Sequence, residues 1–217
     1  MDLELPEELR LLQQSVRKFV DEKLAPHEKA IEENDEIPRE LFRAMGEAGI
    51  FGIGHDERWG GQGFGKLGYC VAIEQSGRVN ASLWNVVGGS AGLCGTAIEL
   101  GGPDDVRERY LPQIFAGEKI GAYGLSEPGA GSDAGSLKTA AMRQGNEYVI
   151  EGFKTFITNA PIADIFVIFA NVAPEKGSKG ITAFVVERGT EGLEIGSNDA
   201  KMGLHGSTTA QIFFNAM

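Results

Sequence analysis

The apolar residues of this chain change their spacing near residue 120, and that change constrains the fold more than any other feature. Before it, Leu9, Leu12, Val16, Phe19, Val20 and Leu24 recur at intervals of three and four, which marks one face of a helix. Pro6 suits the first turn of that helix and Pro26 closes it. The pattern predicts a short second helix from Pro26 to Glu33. A third follows Pro38, burying Leu41, Phe42 and Met45 and stopping at Gly49. A glycine-rich loop over Gly52–Gly65 carries Trp59. Helices are then expected over Leu67–Gly77, Ser82–Leu100 and Asp105–Phe115, with Pro112 bending or ending the last.

Beyond residue 120 the runs become short and β-branched. Strands are predicted at Ile120–Leu125, Leu137–Met142, Glu147–Glu151, Thr155–Ile157, Ile165–Asn171, Ile181–Glu187, Leu193–Ile195 and Gln211–Phe214, with a hairpin turn at Gly145-Asn146. The expectation is an α+β multidomain chain. An N-terminal all-α helical domain (1–119) precedes a β-sandwich or barrel domain (120–217).

Composition narrows the function classes. The 217 residues carry a net charge of −11, with most of the acid excess in the helical half, so a partner made of nucleic acid or anionic lipid is disfavoured. Cys70 and Cys94 sit in apolar helical patterns and read as core residues, and His27, His55 and His205 lack zinc-ligand spacing, so no metal site is expected. Only Ser82–Leu100 approaches membrane-span length. Its glycines and polar residues make it a buried helix, and no membrane insertion is expected. The acidic start Met1-Asp2-Leu3-Glu4 resembles neither a signal nor a transit peptide, so a cytoplasmic location is the expectation.

Three segments stand out as candidate chemistry. The first is Gly121-Ala122-Tyr123-Gly124-Leu125-Ser126-Glu127-Pro128-Gly129-Ala130-Gly131-Ser132-Asp133, a short strand running into a glycine-rich turn with hydroxyls. Glycines that reach backbone angles other residues resist would let N–H groups converge on a phosphate. Ser126 and Ser132 would serve the polar edge of a flavin. The same run also suits a plain hairpin. The second is Gly152-Phe153-Lys154-Thr155-Phe156-Ile157-Thr158-Asn159, where period-two alternation puts the Phe156 ring and Thr158 hydroxyl on one face. The ring could lie on a flat heterocycle or simply belong to the core. The third, Lys201-Met202-Gly203-Leu204-His205-Gly206-Ser207, reads as a glycine-supported bend between strands.

Together the three segments resemble the acyl-CoA dehydrogenase family. Its Tyr-x-Leu-Ser/Thr-Glu-Pro-x-x-Gly-Ser-Asp signature corresponds to Tyr123–Asp133, and its Gly-x-Lys-x-aromatic-Ile-Thr-Asn element to Gly152–Asn159. Gly180–Val186 and Lys201–Gly203 match as well, and the resemblance covers the whole chain. It implies an FAD-dependent oxidoreductase of fatty-acid β-oxidation that introduces a trans-2,3 double bond into an acyl-CoA. A carboxylate takes the α proton while the β hydrogen leaves as hydride to the flavin, and an electron-transferring flavoprotein accepts the electrons. The resemblance places Tyr123, Gly124, Leu125, Ser126, Glu127, Pro128, Gly129, Ala130, Gly131 and Ser132 in contact with the flavin. Ser132 also meets the acyl-CoA, and Phe156, Ile157 and Thr158 form a second flavin contact. It further implies a homo-oligomer when the chain is complete.

Two departures stand beside the match. Phe156 replaces a tryptophan that many members carry, and His205 stands where many have arginine. In the family a further helical domain supplies the catalytic glutamate, so the base is expected beyond residue 217 and the chain alone is expected to be inactive and to bind FAD weakly. Glu74, Glu99, Glu118 and Glu127 are not assigned as the base. The small residues Gly88-Gly89-Ser90-Ala91-Gly92 leave room either for an acyl chain or for close helix packing. Two alternatives remain: a flavin-dependent monooxygenase or acyl-CoA oxidase on the same scaffold, or a non-catalytic flavin- and acyl-CoA-binding subunit of a hetero-oligomer.

Overall fold

A computed structural model describes residues 4–217. The chain forms two compact units. One holds the residues up to Lys119 together with Lys201–Ser207, and the other holds Ile120–Ala200 and Thr208–Met217.

The first unit is helical. Helix α1 (Glu7–Phe19) starts after Pro6, with Glu7 and Glu8 in its first turn and Arg17 and Lys18 in its last, charges that complement the helix dipole. It continues through a π-helical turn, Val20–Leu24, and a 3-10 turn, Ala25–His27. Helix α2 (Glu28–Asn34) ends at Asp35 and α3 (Arg39–Glu47) follows Pro38. Next come α4 (Gly65–Ser76) and α5 (Ala81–Val87), the latter capped by the Asn80 side chain, which accepts from Ser82 N–H at 2.8 Å. The expected helix Ser82–Leu100 is helical throughout but changes geometry. It passes from α5 through a π-helical stretch, Gly88–Gly95, into α6 (Thr96–Gly101). Helix α7 (Asp104–Phe115) agrees with the expected range and runs through Pro112, so of the two expected outcomes, bending or ending, the helix does not end there. Pro112 has no N–H to donate, and its carbonyl still accepts from Ala116 N–H at 2.9 Å.

Residues Lys201–Ser207, continuous in sequence with the strands, cluster with these helices. His205 Nδ1 lies 2.6 Å from an Asp35 carboxylate oxygen, and Asn85 Nδ2 donates to Ser207 Oγ at 2.8 Å. Gly206 fits so closely against Ile31 that a Cβ there would fall 2.3 Å from its side chain.

The second unit is one seven-stranded mixed sheet: β1 (Gly121–Gly124), β2 (Ala140–Gln144), β3 (Glu147–Thr158), β4 (Ile165–Asn171), β5 (Ile181–Glu187), β6 (Leu193–Asn198) and β7 (Thr209–Phe214). The order is β1-β4-β2-β3-β7-β6, with β5 paired to β4. β1 runs parallel to β4, whereas β2–β3, β3–β7, β4–β5 and β6–β7 are antiparallel. The two strands expected at Glu147–Glu151 and Thr155–Ile157 are one long strand. Its first part pairs with β2 and its second with β7, so β3 carries the sheet around a corner. Gly152 marks the switch with φ of 140°, and a Cβ there would strike Thr139 at 2.7 Å. Ile150, Ile157, Phe166, Ile168, Ile212 and Phe214 are the large residues of the core, with buried alanines among them.

Candidate functional site

Strand β1 delivers the chain into the first motif. Tyr123 is half-buried, with its ring 5.0 Å from that of Phe169, and burial pushes its phenol up from the usual range. Ala122 and Gly124 face the core, where a Cβ on Gly124 would sit 3.1 Å from Ile212. After Leu125 and Ser126, both half-buried, Glu127–Ala130 closes as a turn. Its end residues exchange backbone hydrogen bonds of 3.1 and 3.0 Å. Ala130 packs inward while Pro128, Gly129, Gly131, Ser132 and Asp133 face outward.

The expected role of the glycines needs correction. Neither Gly129 nor Gly131 has the positive φ that would require glycine. The bend is carried instead by Pro128 and by the Glu127 side chain. A Cβ on either glycine would also meet nothing within 4 Å. Neither backbone strain nor packing within the chain therefore demands glycine at these positions. What the missing side chains leave is bare, outward-facing backbone.

Glu127 is a structural centre. Its carboxylate accepts from Lys138 N–H (2.6 Å), Thr139 N–H (3.0 Å), Thr139 Oγ1 (2.6 Å) and Lys154 Nζ (2.7 Å). Lys154 is 0% exposed and Glu127 only 8%. Burial pushes the Glu127 carboxyl up, but the hydrogen bonds from Lys154, Thr139 and the two amides together hold it below the usual range. Burial drives the Lys154 ammonium down, and the Glu127 carboxylate only partly offsets this.

The second motif lies on the far half of β3. The pairing with β7 slips between Lys154 and Ile157, so Thr155 and Phe156 together oppose one residue, Gln211. This bulge breaks the alternation assumed from the sequence, and Phe156 and Thr158 are not simply two residues apart on one regular face. Lys154 and Thr155 are both buried, Phe156 turns outward at 72% exposure, and Ile157 returns to the core. The core reading of Phe156 is thereby excluded. Its φ is 58°, a left-handed conformation that a bulky residue adopts at a cost of about 1–2 kcal/mol. Thr158 is half-buried, and Asn159 donates to the Gly121 carbonyl at 3.1 Å, tying the end of β3 to the start of β1.

Turn and bulge meet directly. Thr155 N–H donates to the Ser126 carbonyl at 2.9 Å and Lys154 Nζ to the Leu125 carbonyl at 3.2 Å. The fold thus brings Leu125–Ser132 beside Lys154–Thr158 within one unit. The surface so formed combines bare backbone, two serines and an outward aromatic ring. Lys154 is the residue that reading for ligand contacts missed. The available signal was a lysine in the gap between two predicted strands, with apolar Ile150, Phe153 and Ile157 around it.

Other acids considered from the sequence are engaged in the helical unit. Glu99 accepts from Asp56 N–H at 3.0 Å and lies 2.8 Å from the buried His55, whose ring stacks on Phe115. Glu74 accepts from Gln13 and Gln75. Among the described residues there is no group of three or more His, Cys, Asp or Glu placed to hold a metal ion, and no helix long and apolar enough to cross a membrane.

Comparison with known proteins places this architecture. The profile for the acyl-CoA dehydrogenase N-terminal domain matches residues 6–118, and that for the acyl-CoA dehydrogenase middle domain matches residues 122–217. The chain belongs to the acyl-CoA dehydrogenase family. A short-chain-specific acyl-CoA dehydrogenase of Clostridium acetobutylicum is 39% identical over 217 residues, covering 100% of this chain and 57% of that protein. A glutaryl-coenzyme A dehydrogenase solved in complex with glutaryl-CoA superposes with a TM-score of 0.95 at 33% identity, covering 100% of this chain and 55% of the other. PigA, solved with FAD and proline, also gives 0.95, at 28% identity over 100% of this chain and 57% of that one. The chain therefore spans little more than half the length of these relatives.

Proposed function

We propose that this chain supplies the flavin- and thioester-binding parts of an FAD-dependent enzyme that oxidises an acyl-CoA to the trans-2-enoyl-CoA. In this reading residues 1–119 form its N-terminal domain and 120–217 its middle domain. The observation that carries the proposal is the strained, outward Phe156 ring held one hydrogen bond away from a turn whose glycines the fold itself does not need. Bound FAD would accept a hydride from the β carbon of the acyl group. Phe156 offers an aromatic face to the flavin ring system, and Thr158 and Ser126 offer hydroxyls and amides to its polar edge. Gly129, Gly131 and Ser132 offer close backbone approach, with Ser132 also reaching the thioester ligand. Ile157 and Ala130, both in the core, support these contacts from beneath. Glu127 acts through Lys154 and Thr139, which occupy its carboxylate, and no acid described above is assigned as the base. An electron-transferring flavoprotein is the acceptor in this proposal.

Titration of the purified chain with FAD tests the reading. The expected result is weak but saturable binding with a perturbed visible band. A folded chain that leaves the flavin spectrum unchanged in large excess would refute it.

A further inference from the structure

We propose that Lys154 is the positioning residue of this site: its buried ammonium locks the Leu125–Ser132 turn against the Lys154–Thr158 bulge and so sets the spacing between the two flavin contacts. The inference rests on the flavin reading for its consequence and on geometry alone for its mechanism.

Three bonds join the segments, and two of them start at one atom. Lys154 Nζ donates to the Leu125 carbonyl, at the entry to the turn, and to the Glu127 carboxylate within it. The third, from Thr155 N–H to the Ser126 carbonyl, lies immediately beside them in sequence. The Glu127 carboxylate carries the link onward to Lys138 and Thr139, just before β2. One ammonium thus fixes β1's exit, the turn and the approach to β2 from a single point on β3.

The bulge is the other half of the device. A regular strand would alternate sides at residues 154 and 155, yet both are buried, and the next residue is forced into left-handed backbone. That conformation persists because Lys154 and Thr155 are both held by the turn and Ile157 by the core. Releasing Lys154 frees the bulge to relax and the ring of Phe156 to swing away from the turn. A purely structural ion pair would add stability without setting this spacing.

The test compares wild type with the paired variant Glu127→Gln/Lys154→Met, which removes both charges at similar volume, and with the milder Thr139→Val, which removes one bond to Glu127. Amide exchange at Thr155 and across Ser126–Gly131 is read in the unliganded chain, and FAD affinity is read on folded protein. The paired variant is expected to exchange Thr155 faster and to bind FAD about tenfold or more weakly. Thr139→Val should show smaller changes in the same direction. Ile98→Val, buried in α6 of the helical unit, serves as a control that loses stability and keeps both readouts. If the paired variant does not fold, the Thr139→Val result decides. Wild-type exchange and affinity in whichever variant decides would overturn the proposal. A wild-type chain that does not bind FAD would refute the flavin reading instead, while the exchange data would still decide whether Lys154 holds the turn.

Discussion

Gly129 and Gly131 occupy positions where alanine would cost the fold nothing: their φ angles are ordinary and the space beside each is open. Alanine at such a site restricts the unfolded chain, so Gly131→Ala should leave the protein as stable as wild type or up to about 1 kcal/mol more stable. The same methyl group would stand on the surface assigned to the cofactor, so FAD affinity should fall while the denaturation midpoint does not. Chemical denaturation paired with FAD titration checks this, and unchanged affinity would remove these glycines from the site. Residues with the opposite character mark the motifs too. Phe156 and Leu204 are bulky yet hold positive φ, and each lies in a segment singled out from the sequence. The identity of these segments could be read from residue order. Their backbone strain could not, because φ at Phe156 is set by what holds Lys154, Thr155 and Ile157.

At the scale of elements, the small residues after α5 illustrate how packing decides between two readings. The Tyr69 hydroxyl, from α4, lies over Gly88 and Gly92, one helical turn apart. Burial pushes its phenol up from the usual range, while the neighbouring Trp84 indole, edge-on to the Tyr69 ring at 5.1 Å, acts the other way. This arrangement favours close helix packing over open space for an acyl chain along that face. A Cβ at Gly92 would lie 2.9 Å from the Tyr69 hydroxyl, whereas one at Gly88 would lie at 3.6 Å, an ordinary contact. Gly88→Ala should therefore gain up to about 1 kcal/mol of helix propensity. Gly92→Ala should lose roughly 1–2 kcal/mol through overpacking, and Tyr69→Phe in the same chain should restore most of it. Urea denaturation of the four proteins tests this; equal effects at the two glycines would show that Tyr69 does not discriminate between them. The strands illustrate the converse. Ile165–Asn171 and Ile181–Glu187 match their sequence-derived ranges, because both runs are dominated by apolar and β-branched residues. The break expected between residues 151 and 155 was wrong: tertiary pairing lets one strand serve two partners across Gly152.

For the whole molecule, charge governs the response to acid. The chain has a sequence pI of about 4.8, so it approaches neutrality, and its solubility minimum, where its carboxylates begin to protonate. The folded Glu127 carboxyl titrates below its ordinary value of 4.5. Its contribution to stability is therefore complete above that value and is lost as pH falls through the folded one. Lys154 is also lowered, so its burial is a cost at neutral pH that eases only as pH rises toward its ordinary 10.5. The stability of wild type relative to Glu127→Gln/Lys154→Met should fall as pH drops below about 4.5. A difference that stays constant down to pH 3 (roughly one and a half units below the ordinary carboxyl value) would contradict the assignment. Much of this molecule was legible beforehand. The period change at residue 120, the helical and strand halves, and the order of three motifs follow from local residue choice, because spacing and turn chemistry act over a few neighbours. The turn at Glu127–Ala130, the bulge at Phe156 and the docking of Lys201–Ser207 among helices depend on groups far apart in sequence. An unpaired ammonium at Lys154 could not be buried there, and its partner lies 27 residues away. The sequence alone singled out the segments from which the site is proposed. The tertiary structure decided how they are held, because only folding brings Glu127 to Lys154.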